Sequence, residues 1–209
     1  MSKVAIINYG MGNLGSVLRA FQAIDADALI ADQPSQLEEA SHLVLPGVGS
    51  FADGMNSLNS GGWVDVLTRY IAVQGKPLLG ICLGMQLLAT TGEEGGNTPG
   101  LGFIPGKVRH LQQLGCQLRV PHVGWNSIVP SYQQAPILEA IPEGTDFYFV
   151  HSYSFVLDDN ADCLAIADYG VPIVSAVQKN LVIGTQFHPE KSSKAGLRLL
   201  QNFLTHSKC

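Results

Sequence analysis

The sequence predicts an α/β protein: one domain with a mixed, mostly parallel sheet flanked by helices. Three observations carry this. Over the first 90 residues, short apolar runs alternate with stretches of helical periodicity. Those runs are continuously apolar, as in strands buried on both faces. After a Gly/Pro-rich stretch, Thr91–Pro105, strand-like runs follow one another with turn signals between them, so that part is expected to be largely antiparallel.

Taken in order, Val4–Ile7 is the first strand, stopped by Tyr9-Gly10-Met11-Gly12. Leu14, Val17, Leu18 and Phe21 then recur at helical spacing, with Asn13 placed to cap them. Ala28–Ile30 is a second strand, and Ser35-Gln36-Leu37-Glu38 has the form of a capping box for a short helix. His42–Leu45 is a third strand, ending at Pro46-Gly47-Val48-Gly49. Trp63, Val66, Leu67, Tyr70 and Ile71 make a helical stripe, closed by Gly75 and Pro77. Leu78–Ile81 is a fourth strand, followed by a helix over Leu83–Thr90. Further strands are expected at Lys107–Leu111, Leu118–Val120, Phe147–His151, Cys163–Ala167, Ile173–Val177 and Leu181–Gln186. Pro121–Asn126 has the look of a loop, and a last helix covers Ser193–Thr205. No repeat or linker divides the chain, so residues 1–209 are expected to form one domain.

Composition excludes several function classes. The 209 residues carry 12 Lys+Arg against 17 Asp+Glu, a net charge of −5, with no basic run, so the electrostatic footprint of nucleic-acid binding is missing. No apolar run approaches the ~20 residues of a membrane span, and the N-terminus lacks a signal-peptide core, so a cytoplasmic protein with no membrane partner is expected. Cys82, Cys116, Cys163 and Cys209 are widely spaced, without a C-x-x-C pair, so neither a metal site nor a disulfide framework is expected. Two features stand out: charged residues are only 14% of the chain, and glycine supplies 23 positions.

The chemistry concentrates at two places. Gly80-Ile81-Cys82-Leu83-Gly84 lies between a strand and a helix and has the G-x-nucleophile-x-G form of a nucleophile elbow, with Cys in place of Ser. The sharp turn strains the backbone at the nucleophile and leaves little room for side chains two positions away. A helix N-terminus there stabilises a thiolate, and the Leu83 N–H is placed to meet an oxyanion. The alternative is that Cys82 is a small buried hydrophobe. The second place is Phe187-His188-Pro189-Glu190. A thiol needs a base and the base an orienting acceptor, and in an extended segment residues 188 and 190 point the same way. Both segments follow strand-like runs, and open α/β sheets bind ligands at strand carboxyl ends. Gly47-Val48-Gly49 is either a second oxyanion donor or a plain turn. Tyr148–Tyr153 alternates aromatics, as an exposed interface strand or one packed on the core would.

Cys82-Leu83-Gly84-Met85-Gln86 together with His188-Pro189-Glu190 resembles the class I glutamine amidotransferases. Tyr9–Leu14, Leu45–Gly49, Pro121–Asn126, Tyr148–Tyr153 and Pro189–Ser192 resemble, within that family, the glutaminase subunits of imidazole glycerol phosphate synthases. The resemblance implies a flavodoxin-like fold and a Cys82–His188–Glu190 triad that hydrolyses L-glutamine through a glutamyl thioester. It implies an oxyanion hole from Leu83 and Gly47, Val48 or Gly49. It implies glutamine binding by Gln86, Glu94, Ser152 and Tyr153, with Glu93 adjacent to Glu94 as the other choice of carboxylate. It implies no cofactor. It also implies a heterodimer with a cyclase subunit, a (βα)8 barrel that receives the ammonia in histidine biosynthesis, with Asn13, Trp125, Tyr148 and Lys191 near that interface. The other readings are an amidotransferase feeding a different acceptor, and a catalytically silent scaffold that only binds a partner.

Overall fold

A computed structural model describes residues 2–131 and 135–206. Cys209 lies outside them. Strands β1 (Lys3–Ile7), β2 (Asp27–Ala31), β3 (His42–Gly47) and β4 (Leu78–Cys82) form with helices α1 (Leu14–Gln22), α2 (Phe51–Ser60), α3 (Trp63–Thr68) and α4 (Leu83–Gln86) between or after them. The remaining strands are β5 (Thr91–Gly92), β6 (Thr98–Pro99), β7 (Gly106–His110), β8 (His122–Ser127), β9 (Val129–Pro130), β10 (Asp146–His151), β11 (Tyr153–Leu157), β12 (Cys163–Asp168), β13 (Pro172–Lys179) and β14 (Val182–Thr185). Helix α5 (Ser193–His206) ends the described chain.

The central sheet has eight strands in the order β2-β1-β3-β4-β14-β13-β12-β9. From β2 to β14 every neighbour is parallel; from β14 to β9 every neighbour is antiparallel. Each buried strand serves two cores by its alternation. Val4 and Ile6 face one core with Val17 and Phe21 of α1 and Leu199 and Phe203 of α5. Ala5 and Ile7 face the other, with Phe51 and Leu58 of α2 and Trp63 and Leu67 of α3. Burying each such aromatic or aliphatic side chain contributes about 1.5–3 kcal/mol, so the two-sided burial predicted from the unbroken apolar runs holds the sheet in place. Two small sheets, β10-β8 and β11-β7-β5-β6, are added to this framework. No helix among the described residues is long and apolar enough to cross a membrane.

Several local expectations are corrected. The capping box is shifted by two residues: the short helix is Pro34–Leu37, and the Gln36 carboxamide accepts from the N–H groups of Asp32 and Gln33. Leu118–Val120 is not a strand, whereas the loop-like Pro121–Asn126 supplies β8, whose residues pair with β10 from His122↔His151 to Ser127↔Asp146. Strand β11 was not anticipated. Helix α2 was not anticipated either, because its Gly, Ser and Asn content hides a buried stripe of Phe51, Met55 and Leu58, capped by the Ser50 hydroxyl accepting from Asp53 N–H at 3.2 Å. The helix expected over Leu83–Thr90 is a single turn that ends at Gln86.

Candidate active site

Cys82 is the last residue of β4 and sits at φ 55°, ψ −111°, a strained backbone for a residue with a side chain. The flanking glycines are required by contact. A Cβ on Gly80 would lie 2.7 Å from the Gly84 carbonyl oxygen, and one on Gly84 would lie 1.7 Å from the Leu45 carbonyl oxygen. The elbow thus folds back on itself at Gly80 and presses against β3 at Gly84. Because α4 is one turn, the field at the sulfur comes from the free N–H groups of that turn and not from a long helix dipole.

The neighbouring strand leads to His188. β14 pairs with β4 in parallel, Thr185 opposite Ile81, so the chain leaving β14 passes beside Cys82. His188 follows, and its Nδ1 is 2.7 Å from Glu190 Oε1, both side chains being almost wholly buried. The segment is stitched to β10: His188 N–H donates to the Tyr148 carbonyl at 2.9 Å, and the Ser192 hydroxyl donates to the His188 carbonyl at 2.6 Å. His188 Nε2 has no other hydrogen-bond partner among the described residues and interacts with the Cys82 sulfur. Burial works against charge on the ring, but the Cys82 sulfur and the Glu190 carboxylate overcome it and raise the imidazole to about 9. The arrangement therefore favours the imidazolium form of His188.

Cys82 and Leu83 open into a cavity of about 290 Å³ that is also lined by Val48, Gly49, Gln86, Glu94, Pro121 and the Val150–Tyr153 segment. The four residues expected to bind glutamine all line it. The two glutamates differ in their surroundings: Glu93 is paired with Arg109 at 2.9 Å, while Glu94 lines the cavity and accepts from Phe51 N–H at 2.7 Å. Of the expected oxyanion residues, Leu83, Val48 and Gly49 are in the wall. Gly47 is not: it pairs with Cys82 across β3–β4, and a Cβ there would lie 2.3 Å from the Tyr9 hydroxyl. A second cavity of about 820 Å³, lined by Pro136, Leu138, Ile141 and His206 among others, has no nucleophile beside a base among its described lining residues.

Of the expected interface residues, Trp125 is 54% exposed and its ring centroid is 6.0 Å from that of Tyr148. Lys191 Nζ lies 5.7 Å from the Tyr148 ring centre. These three form one surface cluster beside the His188 turn. Asn13 caps α1, its carboxamide oxygen accepting from Ser16 N–H. Sequence reasoning missed Gln186, which is fully buried: its Nε2 lies 3.8 Å from the Cys82 sulfur and its Oε1 accepts from Gln86 Nε2 at 3.0 Å. The available signal was its place two residues before His188 in an extended run, which puts both on one side.

The pattern of the family described as glutamine amidotransferase class-I matches residues 5–207. The chain belongs to the class-I glutamine amidotransferases. Among relatives of this family, the imidazole glycerol phosphate synthase subunit HisH of Syntrophotalea carbinolica is 47% identical, over 96% of this chain and 98% of its own length. Subunit HisH 1 of Prochlorococcus marinus is 49% identical, over 99% and 98%. A solved glutamine amidotransferase superposes with a TM-score of 0.76 at 19% identity, covering 98% of both chains. PurLQS from Thermotoga maritima gives 0.75 at 17% identity, covering 99% of both. As a class-I amidotransferase, the chain brings Cys82, at the end of β4, close to His188 and Glu190, which follow the adjacent parallel strand β14.

Proposed function

We propose that the whole chain acts as one amidotransferase domain, the glutaminase subunit of an imidazole glycerol phosphate synthase, hydrolysing L-glutamine to glutamate and ammonia. The single observation that supports this best is the buried His188–Glu190 pair beside a strained Cys82, at the end of a cavity with Glu94 on its wall. In this reading Glu94 holds the substrate's α-ammonium, and Ser152, Tyr153 and Gln86 position the rest. The Cys82 sulfur attacks the side-chain amide carbon, and the carbonyl electrons move to an oxyanion held by Leu83 N–H and a donor from Val48–Gly49. His188 gives its proton to the nitrogen, the C–N bond breaks and ammonia leaves. Water, deprotonated by His188, then attacks the thioester, and glutamate departs as the thiolate is restored.

Ammonia released into water at neutral pH would be protonated and lost as a nucleophile. A cyclase partner that takes it directly, a (βα)8 barrel in this proposal, accounts for the exposed Trp125–Tyr148–Lys191 cluster beside the His188 turn. With that partner added, Cys82→Ala should abolish glutamine-dependent synthesis and leave synthesis from added ammonium salt intact. Survival of glutamine-dependent synthesis in that variant would sink the proposal.

A further inference from the structure

The reaction as derived makes no use of His122 and His151, two buried histidines that face each other across β8 and β10. Their hydrogen bonds fix every proton. His151 Nδ1 is 2.8 Å from the Tyr153 carbonyl, which can only accept, so Nδ1 carries the hydrogen and Nε2 must accept. His122 Nδ1 lies 2.9 Å from that Nε2 and therefore donates. His122 Nε2 is left to accept from Asn126 Nδ2 at 3.3 Å, and the same amide donates its other hydrogen to the Asp168 carbonyl at 2.8 Å. The His122 ring is held between Tyr169 and Phe149, with centroids 4.0 and 4.9 Å away. Burial pushes His122 down to about 4 and His151 down to about 3, so both rings are neutral at pH 7 and the direction of the chain does not scramble.

The chain continues past Tyr153. Its carbonyl also accepts from Gln86 Nε2 at 3.1 Å, and that amide's other hydrogen goes to Gln186 Oε1, whose own amide reaches the Cys82 sulfur. Two donor runs thus meet at the Tyr153 carbonyl, one from Asn126 through His122 and His151 and one from Gln86, which also donates to Gln186 and through it reaches Cys82; together they link the strand that carries Trp125 to Cys82 through the wall of the cavity. The geometry points to His122 and His151 as positioning residues of the glutamine reaction, which hold the Ser152–Tyr153 wall and Gln86 in the shape that receives the substrate. This inference rests on reading the cavity as the glutamine site.

The test uses the chain in complex with its cyclase partner and compares glutamine-dependent with ammonia-dependent synthesis. His122→Phe keeps a flat ring between Tyr169 and Phe149 but removes the donor to His151. It should raise the glutamine KM about tenfold, the scale of one lost buried hydrogen-bond partner, with kcat within about threefold and ammonia-dependent synthesis unchanged. His122→Asn restores an N–H near the Nδ1 position and should return KM to within about threefold of the parent. Asn126→Leu, at the half-exposed start of the chain, disturbs packing least and should raise KM about threefold, which keeps the test open if the Phe variant folds poorly. A KM raised in the Asn variant and unchanged in the Phe variant would mean that only ring volume matters and overturn the inference, as would equal shifts in the two or an unchanged KM in all three. A parent complex with no glutaminase activity would overturn the reading of the cavity and this inference with it.

Discussion

Glu190→Gln is the sharpest perturbation of the triad, because it removes a charge and keeps the shape. An imidazole at about 9 instead of 6.5 prefers its charged form by roughly 3 kcal/mol. That preference exists against burial, and only the Cys82 sulfur and the Glu190 carboxylate supply it. Glu190 is itself almost wholly buried, with Oε2 unpartnered, so little water screens its charge. In the variant, a carboxamide oxygen facing Nδ1–H is a weaker acceptor. A carboxamide nitrogen facing it instead turns Nδ1 into an acceptor and places the proton on Nε2, where the base must be free. Either orientation disfavours the imidazolium that delivers a proton to the leaving ammonia. Glutamine-dependent kcat/KM should fall about 10²–10⁴-fold, the range for a mispositioned or wrongly protonated general base. The alkaline limb of kcat should move down from about 9, since less attraction then holds the proton on the ring. The assay is steady-state glutamate release across pH in the complex, with ammonia-dependent synthesis as the control for folding and docking. A rate within about threefold of the parent, or an alkaline limb that stays in place, would refute the role given to Glu190.

Three further outcomes follow from the same geometry. Gly84→Ala places a Cβ 1.7 Å from the Leu45 carbonyl oxygen, so β3 and the elbow must separate. Melting temperature and Cys82 labelling should both drop, at a cost of about 1–3 kcal/mol or more measured by denaturant titration. Stability should peak near the unfolded histidine value of about 6.5. His188, raised to about 9, stabilises fully below 6.5 and loses that contribution as pH rises through 9, whereas His122 and His151, depressed to about 4 and about 3, favour the unfolded chain as pH falls below 6.5. Melting curves across pH check this, and His188→Gln should flatten the alkaline side alone. Trp125→Ala, on an exposed ring, should leave the melting temperature within a few degrees and weaken binding of the cyclase partner about tenfold or more by calorimetry, the scale of an interface anchor.

Much of the site was legible because its chemistry is local in sequence. The elbow needs Cys82 and its two glycines within five consecutive residues, and His188–Glu190 needs only an extended segment. What joins them is the β4–β14 pairing, a contact between residues 81 and 185 that no local pattern encodes. The different surroundings of Glu93 and Glu94 were invisible for the same reason, since they depend on Arg109 of β7 and Phe51 at the start of α2. In the fold, the parallel half was readable because strands buried on both faces are unbroken apolar runs. β8 was not: its residues from His122 to Ser127 include Gly124 and the exposed Val123 and Trp125, and its buried member is a histidine held by hydrogen bonds and ring contacts. The Leu83–Thr90 segment is apolar enough for a helix, yet the chain leaves the helix after Gln86 and the carbonyls of Leu87 to Thr90 accept from N–H groups of the Gly100–Ile104 segment instead. Tertiary pairing outcompeted periodicity there.

The high glycine content acquires a different meaning from the one composition suggests. Turns account for some positions and side-chain contacts for others, but three glycines beside the triad are places where main chains touch. Gly80 admits the Gly84 carbonyl, Gly84 admits the Leu45 carbonyl of β3, and a Cβ on Gly196 of α5 would lie 1.8 Å from the Pro189 carbonyl oxygen. Gly196 therefore brings α5 onto the turn that carries Glu190, as Gly84 brings β3 onto the elbow that carries Cys82. Main-chain contact at these points leaves less freedom than side-chain packing would, because neither partner has rotamers to adjust. A buried charge pair such as His188–Glu190 is favourable only when its geometry is closely held. The glycines around the triad are thus part of how the chain keeps an imidazolium and a carboxylate together in its interior, and the low surface charge of the chain does not extend to that pair.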